Sequence, residues 1–411
     1  MLASPSLARS SANGRGRVLV LENHRHTLAV VRSLSVDYDV VLGVVPNQLE
    51  DACVASSNAV TEVWSHPPLV SESFVPALKA FLRDRHDVVA VYPVGDDAVE
   101  AVSGLSPGSA QIAAPSPSAA SACRDKDRMA ALVDELGVRA PESAAVASFA
   151  SLRAFVDRHG LPCIVKPLRS DRRVLGKKCL FLDDEGDLMR LSEWPDGDME
   201  LLAQTRIPGD RYNGDFVARD GTIVRWCESR VLRTDVADGS GYGVDVVSVA
   251  PSRERRDNAE RLVARLNYSG IGVIQHMVGA RGSFFLEINP RTNALIPNAI
   301  HSGLDLPRDA VRVALDQPLT AAAGYRTGVR SHWLYGDLRG AVREAGEGSV
   351  AIGLVTAGRL LRTLLLSPTH VTWSRSDPRP TLSYYCLTAR DELARLGKRL
   401  SALRRRSHAP A

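Results

Sequence analysis

The six cysteines of this 411-residue chain, Cys53, Cys123, Cys163, Cys179, Cys227 and Cys386, never fall into Cys-x-x-Cys spacing. That excludes a zinc ribbon or a disulfide framework and fits the reduced thiols of a cytoplasmic protein. Charge of one sign is also scarce. A net charge of +4 is too small to argue for nucleic acid, and part of it collects in the tail residues Lys398, Arg399, Arg404, Arg405 and Arg406. Residues 1–16 are small, polar and Arg-containing, without the apolar segment of a secretory signal, and read as a disordered N-terminus. The apolar stretch Ala351–Leu366 is broken by Arg359 and Arg362. It falls short of the roughly 20 apolar residues that a membrane-spanning helix needs. A buried core helix is the favoured reading of this stretch. The alternative is weak contact with a membrane surface, with the two arginines meeting lipid phosphates. No internal repeat and no Ser/His or Cys/His nucleophile pairing is evident.

What is present is a 45% hydrophobic, 24% charged composition, the balance of a globular protein with a sizeable core. Its length suits two or three domains. Strand-like runs at Arg17–Leu21, Val40–Val45 and Val88–Tyr92 alternate with helical spacing over Asn23–Leu34 and Phe74–Arg85. This alternation predicts a parallel α/β sheet, with the loop Pro93–Asp97 at a carboxyl strand end where ligands bind. After the Ser/Pro/Ala-rich stretch 106–122 the character changes. A helix is predicted over Asp125–Leu136. Hairpins are expected around Asp220-Gly221, between strands Asp215–Arg219 and Thr222–Glu228, and around Gly279–Gly282, with a helix over Glu254–Leu266 between them, an α+β pattern. Beyond about residue 320 periodicity fades until an amphipathic helix at Asp391–Arg404.

The densest chemical signal is Phe284-Phe285-Leu286-Glu287-Ile288-Asn289-Pro290-Arg291. Strand alternation sends Glu287 and Asn289 to one face, and Pro290 stops the ladder before Arg291. A carboxylate and a carboxamide projecting together are hard oxygen donors suited to Mg²⁺, and the arginine suits a phosphoryl group. Gln275, on the preceding strand, is placed to face Glu287. Lys166 leaves an apolar strand just before Pro167, and Lys126 opens a helix behind Asp125. Either lysine alone reads as a surface residue, and the Glu/Asn pair alone reads as a solvated edge strand. Their order along the chain joins them.

That order resembles the ATP-grasp superfamily, in its carboxylate–amine ligase branch with carbamoyl-phosphate synthase-like features. Lys126 ahead of Gly137-Val138-Arg139-Ala140-Pro141 looks like the family's entry motif, and Ile164-Val165-Lys166-Pro167 like its second ATP-contacting lysine. Gln204-Thr205-Arg206-Ile207-Pro208-Gly209 is similar to the hinge that meets adenine, which implies nucleotide contacts from Gln204 and Ile207. Gln275, Glu287 and Asn289 match the metal-binding positions, and Arg291 the phosphate-side arginine. Arg230 and Arg233, leaving a strand ahead of the glycine-rich segment 238–243, lie where related ligases face their substrates. The resemblance covers about residues 17–310. It implies an ATP-grasp fold with an N-terminal parallel-sheet domain over 17–121, the ATP-grasp domain over 122–318 and a C-terminal extension over 319–411. It also implies ATP with Mg²⁺ (Mn²⁺ as an alternative), an acyl-phosphate intermediate, and small-molecule carboxylate and amine substrates, with a homodimer compatible with the extension.

One segment departs from the pattern. Where many relatives carry a glycine-rich phosphate loop, Leu168–Lys178 has a single glycine and five cations, so a backbone anion cradle is not expected there. Arg172, Arg173 or Lys177 would have to do similar work. This departure keeps a non-catalytic nucleotide sensor as a rival reading, and the apolar 351–366 stretch keeps a membrane-surface scaffold as another.

Overall fold

The computed structural model describes residues 15–390 except 47, 107, 169–171, 194–199, 237, 240, 322–323, 348–349 and 389, and omits the side chains of 50 and 344–357. Residues 1–14 of the expected disordered terminus, the helix expected at Asp391–Arg404 and the basic tail lie outside the described residues.

The first sheet contains β1 (Arg17–Leu21), β2 (Asp39–Val44), β3 (Val60–Ser65), β4 (Val88–Pro93) and β5 (Gln111–Ile112) in the order β3-β2-β1-β4-β5. All of its pairings are parallel. The run Val18–Leu21 is apolar at every position because both faces are covered. Val18 and Val20 pack with Leu28 and Val31 of helix Thr27–Leu34, while Leu19 and Leu21 pack with Phe74 and Leu78 of helix Phe74–Leu82. The helix expected from Asn23 begins only at Thr27. Glu22 sits at φ 69° and the Thr27 hydroxyl accepts from the His24 N–H at 2.9 Å, so residues 22–26 form a loop at the sheet's carboxyl edge. Strand β3 and helix Asp96–Val102 were not foreseen, since both are short and carry polar residues.

A four-stranded antiparallel sheet follows, β6 (Ser143–Val146), β7 (Cys163–Pro167), β8 (Leu180–Leu182) and β9 (Leu201–Thr205), ordered β6-β9-β7-β8. Helix Phe149–His159 covers it through Leu152, Phe155 and Val156.

The largest sheet has seven strands: β10 (Asp210–Arg219), β11 (Thr222–Thr234), β12 (Gly243–Val249), β13 (Gly270–Gly279), β14 (Gly282–Asn289), β15 (Arg330–His332) and β16 (Thr369–His370). Their order is β14-β13-β10-β11-β12-β15-β16. Asp220 and Gly221 both adopt positive φ, 47° and 78°, as a two-residue hairpin turn of this hand requires. β11 runs well past the expected end at Glu228. Its buried Glu228 is neutralised by Arg255, which donates from Nε at 2.9 Å and Nη2 at 2.6 Å, so a polar stretch hides inside the sheet. Arg230 and Arg233 are therefore strand residues rather than loop residues.

Helices Ile296–Ser302 and Leu306–Ala314 fill the space between sheets. Ile296, Leu306 and Val311 share one core with Val18 and Val20 of the first sheet and Val217 and Ile271 of the largest. The carboxyl edge of β4 is thereby set beside the end of β14, where the Tyr92 and Thr292 hydroxyls lie 2.8 Å apart. The region past residue 320, which lacks clear periodicity in sequence, holds helices Leu334–Glu347 and Val350–Leu366. The second was expected to be a buried core helix. Its described end instead exposes Leu361, Leu364, Leu365 and Leu366, and buries Thr363. No helix among the described residues is long and apolar enough to cross a membrane.

Candidate active site

β13 and β14 are joined by a turn at residues 280–281, and their register puts Gln275 directly opposite Glu287 and Val273 opposite Asn289. Ile288, between Glu287 and Asn289, points into the core, which leaves the two polar side chains on the open face. The Asn289 amide donates to Glu287 Oε1 at 2.8 Å. Three oxygen-bearing side chains thus share one strand end, with a single carboxylate among them. Among the described residues no three His, Cys, Asp or Glu side chains converge. This donor set fits a Mg²⁺ ion that arrives on nucleotide phosphates and takes most of its ligands from phosphate and water. It is too poor for a free-standing protein cage.

Two lysines meet near this donor set. Helix Lys126–Glu135 is capped by the Asp125 carboxylate, which accepts from the N–H groups of Asp127 and Arg128. Lys126 at its first position donates to the carbonyls of Pro167 and Leu168 at 2.7 and 2.8 Å, just past Lys166. Burial, joined by the charge of Lys166, pushes Lys126 down to about 8, while Glu287 and Asp127 oppose the fall. Lys126 therefore feels the charges of both Lys166 and Glu287. Lys166 and Gln204 are diagonal neighbours on β7 and β9, and Lys166 Nζ donates to Gln204 Oε1 at 3.3 Å. Ile207 is buried in the hinge that follows. That hinge runs against β13 so closely that a Cβ on Gly209 would collide with the Val278 carbonyl, and one on Gly279 with the Pro208 carbonyl.

Arg291 emerges after β14 and donates from Nε to Asp96 Oδ2 at 2.8 Å, reaching the first residue of helix Asp96–Val102 beyond the carboxyl end of β4. Arg230 forms an ion pair with Asp210 at 2.9 Å. Arg233 is placed differently from the sequence expectation. Both of its terminal nitrogens meet the Asp337 carboxylate, one also reaches Thr363 Oγ1 at 2.9 Å, and His332 Nε2 lies 2.7 Å from Asp337 Oδ2. Its guanidinium ties β11 to the C-terminal helices, which leaves it unavailable to a substrate. The basic segment is better anchored than its sequence suggests. Val174 is fully buried, and a tight turn through Leu175 and Gly176 brings Lys177 back to pair with it. Arg169 lies outside the described residues.

Sequence reasoning did not single out Arg25, Arg211, Tyr242 or Trp333 as site residues. Arg211 is half-buried, donates to the Gly241 carbonyl at 3.1 Å, and is held below the usual arginine range by desolvation, with Glu287 and Asp235 opposing. Lys178 Nζ donates to the Tyr242 hydroxyl at 2.7 Å. These residues meet only through the tertiary fold, and no local spacing announces them.

No family model matches the chain. Sequence relatives include the arginine-specific carbamoyl phosphate synthase large chain of Geobacillus stearothermophilus, 23% identical over 328 residues, covering 76% of this chain and 30% of the relative. The carbamoyl phosphate synthase large chain of Rubrobacter xylanophilus is 24% identical over 274 residues, covering 61% and 24%. This chain thus spans under a third of the length of these relatives. Among solved structures, the biotin carboxylase domain dimer of Hydrogenobacter thermophilus 2-oxoglutarate carboxylase, in complex with MgADP, ADP and bicarbonate, superposes with a TM-score of 0.60. It is 14% identical, and the match covers 76% of this chain and 73% of that one. The ADP complex of N5-carboxyaminoimidazole synthetase from Staphylococcus aureus gives 0.57 at 11% identity, covering 74% and 78%. The small antiparallel sheet joined to the large one through the hinge, with Lys166 on the first and the oxygen ligands on the second, agrees with this architecture: the chain has an ATP-grasp fold.

Proposed function

We propose that the protein is an ATP-dependent carboxylate–amine ligase that works through an acyl phosphate and releases ADP and phosphate. The observation that supports this reading is that Lys126, held beside Lys166 through the Pro167 and Leu168 carbonyls, also lies in the field of Glu287, the one carboxylate of the Gln275, Glu287 and Asn289 donor set. Two cations near so sparse an oxygen donor set suit a metal–nucleotide complex. Lys126 and Lys166 would counter phosphate charge, with Gln204 and Ile207 bordering the adenine. Glu287, Asn289 and Gln275 would hold Mg²⁺, which when bound shields the phosphate oxygens and favours γ-phosphoryl transfer. Arg291, fixed by Asp96, would steady the attacking carboxylate. A carboxylate oxygen attacks the γ-phosphorus and ADP leaves. An amine then attacks the acyl carbon, phosphate leaves, and the amine nitrogen loses its proton to water or a nearby base. Arg230 is a positioning residue in this scheme. Domain limits at about 121 and 318 and a cytoplasmic location belong to the same reading.

The test uses purified protein, Mg²⁺, ATP, a panel of carboxylic acids and hydroxylamine as surrogate amine. Hydroxamate should accumulate in step with ADP and phosphate, and Glu287→Gln should abolish it in protein that remains folded. AMP and pyrophosphate accumulating with hydroxamate would overturn the proposal, since an acyl adenylate also yields hydroxamate.

A further inference from the structure

Most half-buried or buried arginines in the described residues have a carboxylate of their own: Arg225 has Asp309, Arg255 has Glu228, Arg233 has Asp337 and Arg330 has Asp245. Two at the cleft do not. Among the described residues no carboxylate lies within ion-pair distance of Arg25 or Arg211, and the Nε of each is buried without a hydrogen-bond partner. Both feel Asp235, but one oxygen of that carboxylate accepts from the Tyr242 N–H at 2.7 Å. Half-buried cations without a carboxylate of their own are costly, and in a ligand site they mark where a ligand's opposite charge belongs.

Arg25 is held in an uncommon way. Its guanidinium carbon lies 3.8 Å from the ring centre of Trp333 and 5.1 Å from that of Tyr242. Stacking occupies the face of the guanidinium and leaves its in-plane N–H donors for an oxyanion. Burial, with a smaller push from the positive charge of Arg291, brings Arg25 down to about 10, against Tyr242, Tyr384 and Asp235, which raise it. An anion bridging this neighbourhood would relieve both. Three separate parts of the chain build the seat: the loop after β1, the glycine-rich loop before β12 and the segment after β15.

We infer that the acid this protein activates carries a second anionic group, a carboxylate or a phosphate. Arg25, on its Trp333–Tyr242 platform, receives that group while Arg211 and Arg291 face the reacting carboxylate. The inference rests on the ligase reading for which carboxylate reacts, and on the unpaired guanidiniums for the second anion.

The test is calorimetric titration of the full chain, held with Mg²⁺ and a non-hydrolysable ATP analogue. The probes are monocarboxylic acids from acetate to hexanoate, dicarboxylic acids from malonate to adipate, and the matching phosphonocarboxylates, which separate the two anion sources. At least one two-anion acid should bind about ten- to hundred-fold tighter than its monoacid partner, the size of a charge-assisted contact. Arg25→Ala should erase that advantage and Arg25→Lys should restore part of it. A panel in which no two-anion acid outbinds its partner contradicts the inference, as does an advantage that survives Arg25→Ala. ADP release with monoacids and no gain from a second anion would remove this subsite and leave the ligase reading. A two-anion preference in protein that never releases ADP would do the reverse.

Discussion

At the residue scale the account turns on Lys126. Its ammonium rests on two carbonyls beside Lys166, and burial holds it near 8 in the free protein. Nucleotide phosphates would restore the charged form, so binding between about pH 8 and pH 10 should be accompanied by proton uptake. Below pH 8 the lysine is already protonated and the uptake should vanish. Calorimetric titration of ATP in buffers of different ionisation enthalpy measures this directly. Lys126→Met should abolish the uptake and weaken ATP binding about tenfold or more; unchanged uptake in that variant would place the proton elsewhere. Lys126, Lys166 and the Glu287/Asn289 pair were legible in sequence because each is fixed by local structure: a helix cap, a strand end, strand alternation. Arg25 was not. It falls within an apparent helical pattern, and its partners Tyr242 and Trp333 lie far along the chain. Arg233 misled for the complementary reason. Its spacing suits a substrate loop, yet its partner Asp337 lies 104 residues away.

At the element scale the β13–β14 hairpin was read nearly as it stands, because its turn and its alternation agree. The β10–β11 hairpin was read short. Buried charges such as Glu228 break the apolar pattern, and only Arg255, from a distant helix, makes them tolerable. The hinge between the small and large sheets depends on close backbone approach at Gly209 and Gly279. Gly209→Ala should push the hinge off Val278, costing about 1–3 kcal/mol in urea unfolding and weakening ADP binding as the adenine edge shifts. An alanine variant with wild-type stability and ADP affinity would show that the hinge has room that the structure denies it.

At the scale of the whole molecule, the C-terminal region is part of the same body as the cleft. β15 and β16 extend the largest sheet, and the segment after β16 reaches back to the first one. There Asp377 accepts from Arg32 Nε at 2.9 Å, Ser57 Oγ at 2.6 Å and the Asn58 N–H at 3.0 Å. Asp377→Ala would strand Arg32 and should cost about 3 kcal/mol. It should also loosen residues 372–388 in hydrogen exchange, with Asp377→Asn less severe. Exchange unchanged from wild type would mean that the extension is held by its apolar contacts alone. None of these ties could be read from sequence, where the region past residue 320 has no periodicity to follow. The parallel first sheet could, since strands covered on both faces are apolar at every position.

In the proposed reaction a carboxylate oxygen becomes bonded to the γ-phosphorus. The most direct measurement is the fate of ¹⁸O placed in the carboxylate of an acid that supports turnover. Attack on the γ-phosphorus followed by amide formation carries one labelled oxygen into inorganic phosphate, and mass spectrometry should find it there with ADP unlabelled. Label in AMP, or phosphate free of label while amide accumulates, would contradict the account.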